Sequence, residues 1–463
     1  MTDWQHQTDA LAFQNMTDWQ HQADALAFAD GKRALMLAMD MGTGKSKVAV
    51  ELCLSRVHEK VLIAAPLSAL GVWPREFNKW APEYRVVVLD GPVKKKQRDA
   101  EAALKVAEAR QDRIVFVVNH ESLWREPFGS WAIKVQWDAI IIDESHRAKS
   151  PKGRLSKFLD LLAATHDRTT RLMLTGTPMP HSPLDIWAQY RFIDEQIFGK
   201  SFWKFKNRYA AMGGYLNKQV LYFRNQDEMH ERMYRRAFRV TKDVLSLPSE
   251  VSVDRNFELD KHTRRLYDSM ESDFYAAVDT GEITASNALV QLLRLQQLTG
   301  GHVTDDDGEV TQTGSAKAGI LSDILQDIPN DEPIVVFCRF RADLDTAIKV
   351  CGDAGRNTGE VSGRHKNLTD GAEFPPDLDA LVVQMQAGGA GIDLSRASTA
   401  IYFSVGFSLG DYKQSQSRLH RPGQRNNVTY IHLVASNTVD EKVYGALKRR
   451  ENIVESILSE RNN

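Results

Sequence analysis

The sequence predicts an α/β fold of two parallel-sheet lobes with helical insertions between them, and three observations carry that expectation. Short apolar runs alternate with helical patterns, the alternation occurs twice, and 463 residues are enough for two or three domains at roughly 150 residues each. In the first series "RALMLAM" (33–39), "VLIAAP" (61–66), "RIVFVVN" (113–119), "AIIID" (139–143) and "RLMLTG" (171–176) read as strands. Between them "SKVAVELCLSRV" (46–57) and "RLSKFLDLLAAT" (154–165) read as helices, and this alternation implies a parallel sheet. The second series is "PIVVFC" (333–338), "ALVVQM" (380–385), "TAIYFS" (399–404) and "VTYIHLV" (428–434). The middle, about 183–300, reads mostly helical and is rich in Trp, Phe, Tyr and Arg. "LSLPSEVSV" (245–253) reads as a connector, because Pro248 ends whatever helix precedes it. The expected organisation is a duplicated segment at 1–15, a first lobe at 16–244, a linker at 245–256 and a second lobe at 257–463.

The N-terminus repeats itself. "MTDWQHQTDALAFQN" (1–15) is followed at once by "MTDWQHQADALAFAD" (16–30), with differences only at Thr8/Ala23, Gln14/Ala29 and Asn15/Asp30. A repeat architecture needs about three units to bury a shared core, and the period stops after two. One copy is therefore expected to serve the fold and the other to be dispensable.

Composition narrows the class. With 42% hydrophobic and 26% charged residues the chain reads as a soluble globular protein. Lys and Arg total 59 against 61 Asp and Glu, so a nucleic-acid partner has to be held by local patches and not by global charge. Cys53, Cys338 and Cys351 have no metal-ligand spacing, which implies no zinc site and suits a reducing compartment. Neither a signal peptide nor a membrane-length apolar run is evident. A cytoplasmic location, in a bacterium or a phage-infected cell, is the expectation.

Three stretches carry chemistry. "MDMGTGKS" (39–46) lies between a strand and a helix, the setting that a phosphate-binding loop requires. Gly42, Thr43 and Gly44 bring backbone N–H groups to phosphates, Lys45 reaches the β/γ oxygens, and Ser46 can ligate Mg²⁺. The strict pattern has glycine where Met39 stands. "WDAIIIDESH" (137–146) delivers Asp143 and Glu144 at the carboxyl end of a strand, where α/β sheets place their ligands. Asp143 suits a Mg²⁺ ligand acting through water, and Glu144 a base that orients and deprotonates the attacking water. In "QSQSRLHRPGQ" (414–424) Arg418 and Arg421 stand three residues apart and would share one face of a helix. Placed opposite a nucleotide, they could meet the charge of a transferring phosphoryl group.

These residues resemble the Swi/Snf-type ATPases of helicase superfamily 2, and the resemblance runs through nearly the whole chain. "MDMGTGKS" is similar to that family's D-E-M-G-x-G-K-T loop, departing at Met39. "APLSALGVWPREFNKW" (65–80) resembles motif Ia, "VVNHESL" (117–123) the Ib region, "DESH" motif II and "LTGTP" (174–178) motif III. "FRVTKDVLSLP" (238–248) resembles the family's R-x-T-K…LP junction, "VVFCRF" (335–340) motif IV, "QAGGAGIDL" (386–394) motif V and "QSQSRLHRPGQ" motif VI. The resemblance implies two RecA-like lobes, ATP and Mg²⁺, and hydrolysis when the lobes close. It implies catalytic roles for Lys45, Asp143, Glu144, Gln414, Arg418 and Arg421. It also implies nucleotide contacts from Gly391 and Asp393, and adenine recognition by an aromatic-Gln element that in register is Trp19-Gln20, with Gln22 as runner-up. Ser68, Arg339, Gln386, Gly388 and Gly389 are implied to track nucleic-acid phosphates, and the local positive charge of "RAKSPKGRLSK" (147–157) offers Arg147 and Lys149 as further backbone readers.

Partners implied by the resemblance are double-stranded or branched DNA, together with a recruiting protein and no membrane. The basic and aromatic stretches "KSFWKFKNRY" (200–209) and "RMYRRAFR" (232–239) are further candidates for DNA contact. A strand-separating helicase on DNA or RNA is the rival reading. A non-hydrolysing nucleotide-binding scaffold is the rival of another class, but it would be expected to lack Glu144 or the arginines. The chain is expected to be of the compact bacterial or phage type, with no nuclease or reader module.

Overall fold

The structure is a computed structural model that describes residues 20–214, 219–279, 285–305, 308–364, 372–385 and 392–458, without the side chains of 68, 274–279, 285–289 and 452–458. The chain divides into two compact units, the second spanning Leu247–Glu451.

The first unit is built on seven strands: β1 (Ala34–Met39), β2 (Lys60–Ala65), β3 (Tyr84–Val88), β4 (Arg113–Asn119), β5 (Ala139–Ile142), β6 (Thr170–Leu174) and, after a short hairpin, β9 (Ala237–Val240). The hairpin pairs β7 (Ala210–Gly213) with β8 (Gln219–Phe223). The seven-stranded sheet runs β3-β4-β2-β5-β6-β1-β9 and every pairing in it is parallel. Alternate residues of each inner strand point to opposite faces, and both faces are covered. Leu35, Leu37 and Met39 of β1 pack with Val48, Cys53, Trp73 and Phe77. Ala34, Met36 and Ala38 pack with Phe128, Trp131, Leu159 and Tyr190. Burial on both faces is why these strands appear in the sequence as unbroken apolar runs.

The second unit holds a six-stranded parallel sheet, made of β10 (Glu250–Phe257), β13 (Ile334–Cys338), β14 (Thr358–Val361), β15 (Ala380–Gln384), β16 (Thr399–Tyr402) and β17 (Val428–Ala435), in the order β10-β17-β16-β13-β15-β14. A two-stranded hairpin, β11 (His302–Thr304) with β12 (Val310–Gln312), follows the helices Lys261–Asp279 and Ala285–Thr299. These helices are the insertion expected in the middle of the chain. The segment expected to be a linker at 245–256 is corrected here. From Glu250 onward it is the edge strand β10, paired in register from Glu250↔Val428 to Phe257↔Ala435. Only Phe257 of that strand is buried, so its sequence lacks the apolar run that marked the inner strands. Among the described residues, no helix is long and apolar enough to cross a membrane.

Candidate active site

The chemistry of the first unit gathers at the carboxyl edge of its sheet. β1 runs into the loop 40–44, and the helix Lys45–Ser55 starts directly after it. Gly42 and Gly44 have φ of 85° and 86°, the left-handed region that side chains with a Cβ rarely enter. Their freedom lets the loop double back so that helix-start N–H groups face outward, where they form an anion-binding terminus. The Lys45 ammonium donates to the carbonyls of Met39 at 2.8 Å and Asp40 at 3.2 Å, and the Thr43 hydroxyl donates to Asp40 O at 2.6 Å. Sequence reasoning gave Asp40 no role. Its carboxylate accepts from Lys242 N at 3.0 Å, which ties the loop to the R-x-T-K segment at the end of the unit.

The helix Gln20–Ala29 of the second repeat copy lies against this loop. Trp19 and the whole first copy fall outside the described residues. Gln20, the residue expected to recognise adenine, is exposed and donates to Asp24 at 2.8 Å. Its runner-up Gln22 is the one that meets the loop. Its amide N–H donates to Thr43 O at 3.3 Å and its oxygen accepts from Lys47 at 2.8 Å. His21 Nε2 donates to the same Thr43 carbonyl at 2.8 Å. The local signal was available: in "WQHQADALAF" a helix that buries Ala25 and Ala29 also turns positions 21 and 22 inward, one turn earlier.

β5 ends at Ile142 and delivers Asp143 and Glu144. In the sheet order β5-β6-β1 their strand lies two places from the phosphate-loop strand, about 10 Å across. The Asp143 carbonyl accepts from His120 Nε2 at 2.8 Å, and its carboxylate accepts from Glu144 N at 2.9 Å. Burial, with the Glu144 charge beside it, pushes the Asp143 carboxyl up to about 7, and Lys45 opposes the shift. Glu144 itself adopts φ 45° and ψ 52°, a left-handed conformation that an Asx- or Gly-free position holds only under constraint. Its carboxylate stands 3.2 Å from His146 Nδ1, which is also 3.2 Å from Thr175 Oγ1 of "LTGTP". Motifs II and III thus meet through His146. A crowded carboxylate whose proton affinity is raised is a group that a cation would relieve, and Mg²⁺ binds through one or two carboxylates plus substrate oxygens. Asp143, with the Ser46 hydroxyl at the helix start, fits that habit. Among the described residues no cluster of three or more His, Cys, Asp or Glu offers an all-protein metal cage. Arg147 is exposed and Lys149 half-buried, on and just after the 3₁₀ turn Ser145–Ala148.

In the second unit the helix Leu409–Leu419 is capped by the Ser408 hydroxyl, which accepts from Asp411 N at 3.3 Å. Gln414 and Arg418 lie within it, both half-buried. The helix stops before Arg421, so the expectation that the two arginines share a helical face is corrected: Pro422 and Gly423 follow, and the chain turns. Arg421 is positioned by Asp393 instead, with Nε 3.5 Å from the carboxylate. Leu394 N donates to the Arg418 carbonyl at 3.0 Å, so the end of motif V is sewn to motif VI. His420 Nε2 donates to Pro248 O at 2.7 Å and its Nδ1 stands 2.9 Å from the Glu250 carboxylate, fastening motif VI to the first residues of this unit. Gln424 donates to the carbonyls of Ser395 and Ala397 at 3.0 and 2.9 Å.

Arg339, expected to track phosphates, is occupied inside the unit. Its guanidinium donates to Gln296, lies between the rings of Phe340 and Phe407 at 5.3 and 5.5 Å, and has its pKa lowered by burial. Gln386, Gly388, Gly389 and Gly391 lie outside the described residues, as does the Ser68 side chain.

The family described as the SNF2-related domain matches residues 6–300, and the helicase conserved C-terminal domain matches residues 316–423. The CHD3-type chromatin-remodeling factor PICKLE of Arabidopsis thaliana is 24% identical over 90% of this chain and 32% of its own. The ATP-dependent helicase brm of Drosophila melanogaster is 27% identical over 91% of this chain and 28% of its own. The chain therefore spans about a third or less of these relatives. The solved Sulfolobus solfataricus SWI2/SNF2 ATPase core in complex with dsDNA is 20% identical, covering 95% of this chain and 92% of that one, with a TM-score of 0.41.

Proposed function

The chain belongs to the SNF2-related family, and from that premise we propose that it is a DNA-dependent ATPase that moves along double-stranded or branched DNA. The observation that carries the ATPase reading is the convergence, on one sheet edge, of the glycine-bent loop with Lys45, the Asp143–Glu144 pair and the Thr175 segment. On this reading the N–H groups at the start of the helix Lys45–Ser55 receive phosphate oxygens, and Lys45 exchanges its two carbonyl partners for the β/γ oxygens. Gln22 takes the adenine-recognising role first expected of Gln20. Glu144, held by its backbone and by His146, orients a water and accepts its proton. Arg418 and Arg421 of the second unit meet the charge on the γ-phosphoryl group once nucleotide is bound, with Asp393 aiming Arg421. Mg²⁺, when bound at Asp143 and Ser46, supplies screening of the phosphate charge.

DNA as the substrate rests on membership in the family and on the relatives whose names are chromatin-remodeling factor and helicase. Ser68, Arg147, Lys149, Gln386, Gly388 and Gly389 are the proposed backbone contacts. The test compares two outcomes of ATP-driven movement on DNA. A duplex translocase displaces a triplex-forming third strand and leaves a tailed duplex of moderate length paired. Unwinding of the tailed duplex without triplex displacement would establish the strand-separating rival instead.

A further inference from the structure

One exposed surface is left unused by this scheme. Residues 200–225 contain six Lys or Arg, seven aromatic residues and no Asp or Glu. They form the helix Phe202–Tyr209 and the hairpin β7/β8 of the first unit, with 215–218 outside the described residues. The helix is amphipathic. Phe205 and Tyr209, 2% and 1% exposed, face inward and join the rings of Phe198 and each other at 5.2 and 4.9 Å. Phe202 packs on Trp187 at 5.3 Å. The outer face carries Lys204, Arg208 and, unexpectedly for a polar face, Trp203, which is 71% exposed. In the hairpin Leu221 and Tyr222 are each 61% exposed.

Packing does not explain Trp203, because the inward face is already filled by three aromatic rings. Ion pairing does not explain the cations either. Arg208 is held by Glu228 at 2.6 Å and Lys200 by Glu195 at 2.9 Å, but Lys204 and Lys206 make no ion pair among the described residues. A large exposed indole next to uncompensated lysines is the chemistry that binds nucleic acid by stacking a base and neutralising the phosphates beside it. A duplex presents base edges and not base faces along its length, so the indole has a partner only where bases are unpaired.

We propose that this protrusion binds an unpaired segment of DNA through stacking on Trp203 with Lys204 and Lys206 on the flanking phosphates, so that the motor engages forks and branches in preference to plain duplex. This rests on the DNA-motor reading above and names which DNA the motor favours. Trp203 and the lysines lie outside the nucleotide machinery, so ATP hydrolysis without DNA serves as the control for folding.

The experiment measures the affinity of the full chain for a blunt duplex and for a fork with two unpaired arms, by fluorescence anisotropy at fixed salt. The parent is expected to favour the fork by roughly tenfold, since one stacked base contributes about that much. Trp203→Ala should bring the fork down to the duplex affinity and leave the duplex affinity and DNA-free hydrolysis unchanged. Trp203→Phe should keep most of the preference. Lys204→Glu should weaken fork binding and flatten its salt dependence. A parent that is stimulated by duplex but shows no fork preference would overturn the inference while leaving the motor reading intact. A Trp203→Ala variant that keeps the parent's preference would overturn it too, and would point to a protein as the occupant of this surface. Absence of any DNA binding or stimulation in the parent would sink the motor reading itself.

Discussion

Gly44→Ala is the substitution whose cost the geometry sets most directly. Gly44 has φ 86°, and a Cβ built there would stand 2.2 Å from Gln22 Nε2. An ordinary contact needs about 3.4 Å or more, so the Gln22 amide has to move by more than an ångström. It would then lose its 3.3 Å bond to Thr43 O and its 2.8 Å bond from Lys47. Two separable terms follow. The left-handed backbone costs an L residue about 1–2 kcal/mol, and displacing a buried amide with a charged partner costs about another 1–2 kcal/mol. Gly44→Ala alone should therefore destabilise the first unit by roughly 2–4 kcal/mol. In a Gln22→Ala background the second term is already gone, and the same change should cost only the backbone term, giving a coupling of about 1–2 kcal/mol in the double-mutant cycle. The assay is urea unfolding of the parent, both single variants and the double variant, with ATP affinity measured on the same four proteins. Affinity should fall in both singles and hardly further in the double. Strictly additive stability and affinity losses would refute the idea that Gln22 and the phosphate loop act as one unit.

The remaining predictions concern hydrolysis, the repeat and acid. Glu144→Gln and Arg421→Ala should each lower the rate of ATP hydrolysis by roughly 10³ or more, and Asp393→Ala, which frees Arg421 without removing it, should lower it by less. An Arg421→Ala enzyme that turns over at the parent rate would show that the second unit takes no part in the chemistry. Deleting residues 1–15 should leave stimulated ATPase activity and Tm unchanged, and Gln22→Ala should raise KM for ATP where Gln5→Ala does not. Loss of activity on that deletion would make the first copy part of the motor. His58 is buried, with Nε2 3.1 Å from Thr170 Oγ1, and burial pushes its pKa down from 6.5 to about 4. The unfolded chain then binds a proton between pH 6.5 and 4 that the folded chain refuses, so this contribution to stability is complete above 6.5 and declines as pH falls. Comparing the parent with His58→Gln isolates it from other titrations: between pH 7.5 and 5.5 the parent should lose roughly 1 kcal/mol relative to the variant. Denaturant midpoints that move in parallel would refute it.

What the sequence disclosed about the fold follows sheet position. β1, β2, β4, β5 and β6 in the first sheet, and β13, β15, β16 and β17 in the second, all have strand neighbours on both sides, and all stood out as apolar runs. β3, β9, β10 and β14 are the four edges, and none did. An inner parallel strand is enclosed by helices on both faces and is apolar at most positions. An edge strand is partly solvated and its apolar run is interrupted by charge, as by Arg85 in β3, Arg239 in β9 and Glu360 in β14, which also guards against unwanted pairing. β10 is the extreme case: "EVSVDRNF" is exposed at every residue except the last, and only its ladder with β17 marks it as a strand. Its position directly after Pro248 made it resemble a linker, and local sequence could not say otherwise because the pairing partner lies well over a hundred residues away.

The site divides along a similar line, between residues whose chemistry is carried by their own backbone segment and residues aimed by a distant one. Gly42, Gly44, Lys45, Asp143 and Glu144 were legible because a strand, a sharp turn and a helix in one stretch dictate where they go. Gln22 and Arg421 were legible as candidates but not in how they are held, since each is placed by a partner elsewhere. Thr43 and Lys47 hold Gln22 against the loop, while Gln20, at a spacing just as good, turns to Asp24 and solvent. Asp393 holds Arg421 beyond the end of its helix, where a count of three residues from Arg418 says nothing about direction. His420 extends the same logic. It was visible only as one letter of motif VI, yet it grips Pro248 and Glu250 at the entrance to the second unit. A helix that presents Arg418 and is bolted through His420 to the chain entering the unit cannot shift without moving that entrance. Motif VI is therefore bonded to the residues that open its own unit, and His420→Ala should leave ATP affinity at the parent level and lower DNA-stimulated turnover. A variant with parental stimulated turnover would show that the bond between motif VI and the unit's entrance is structural alone.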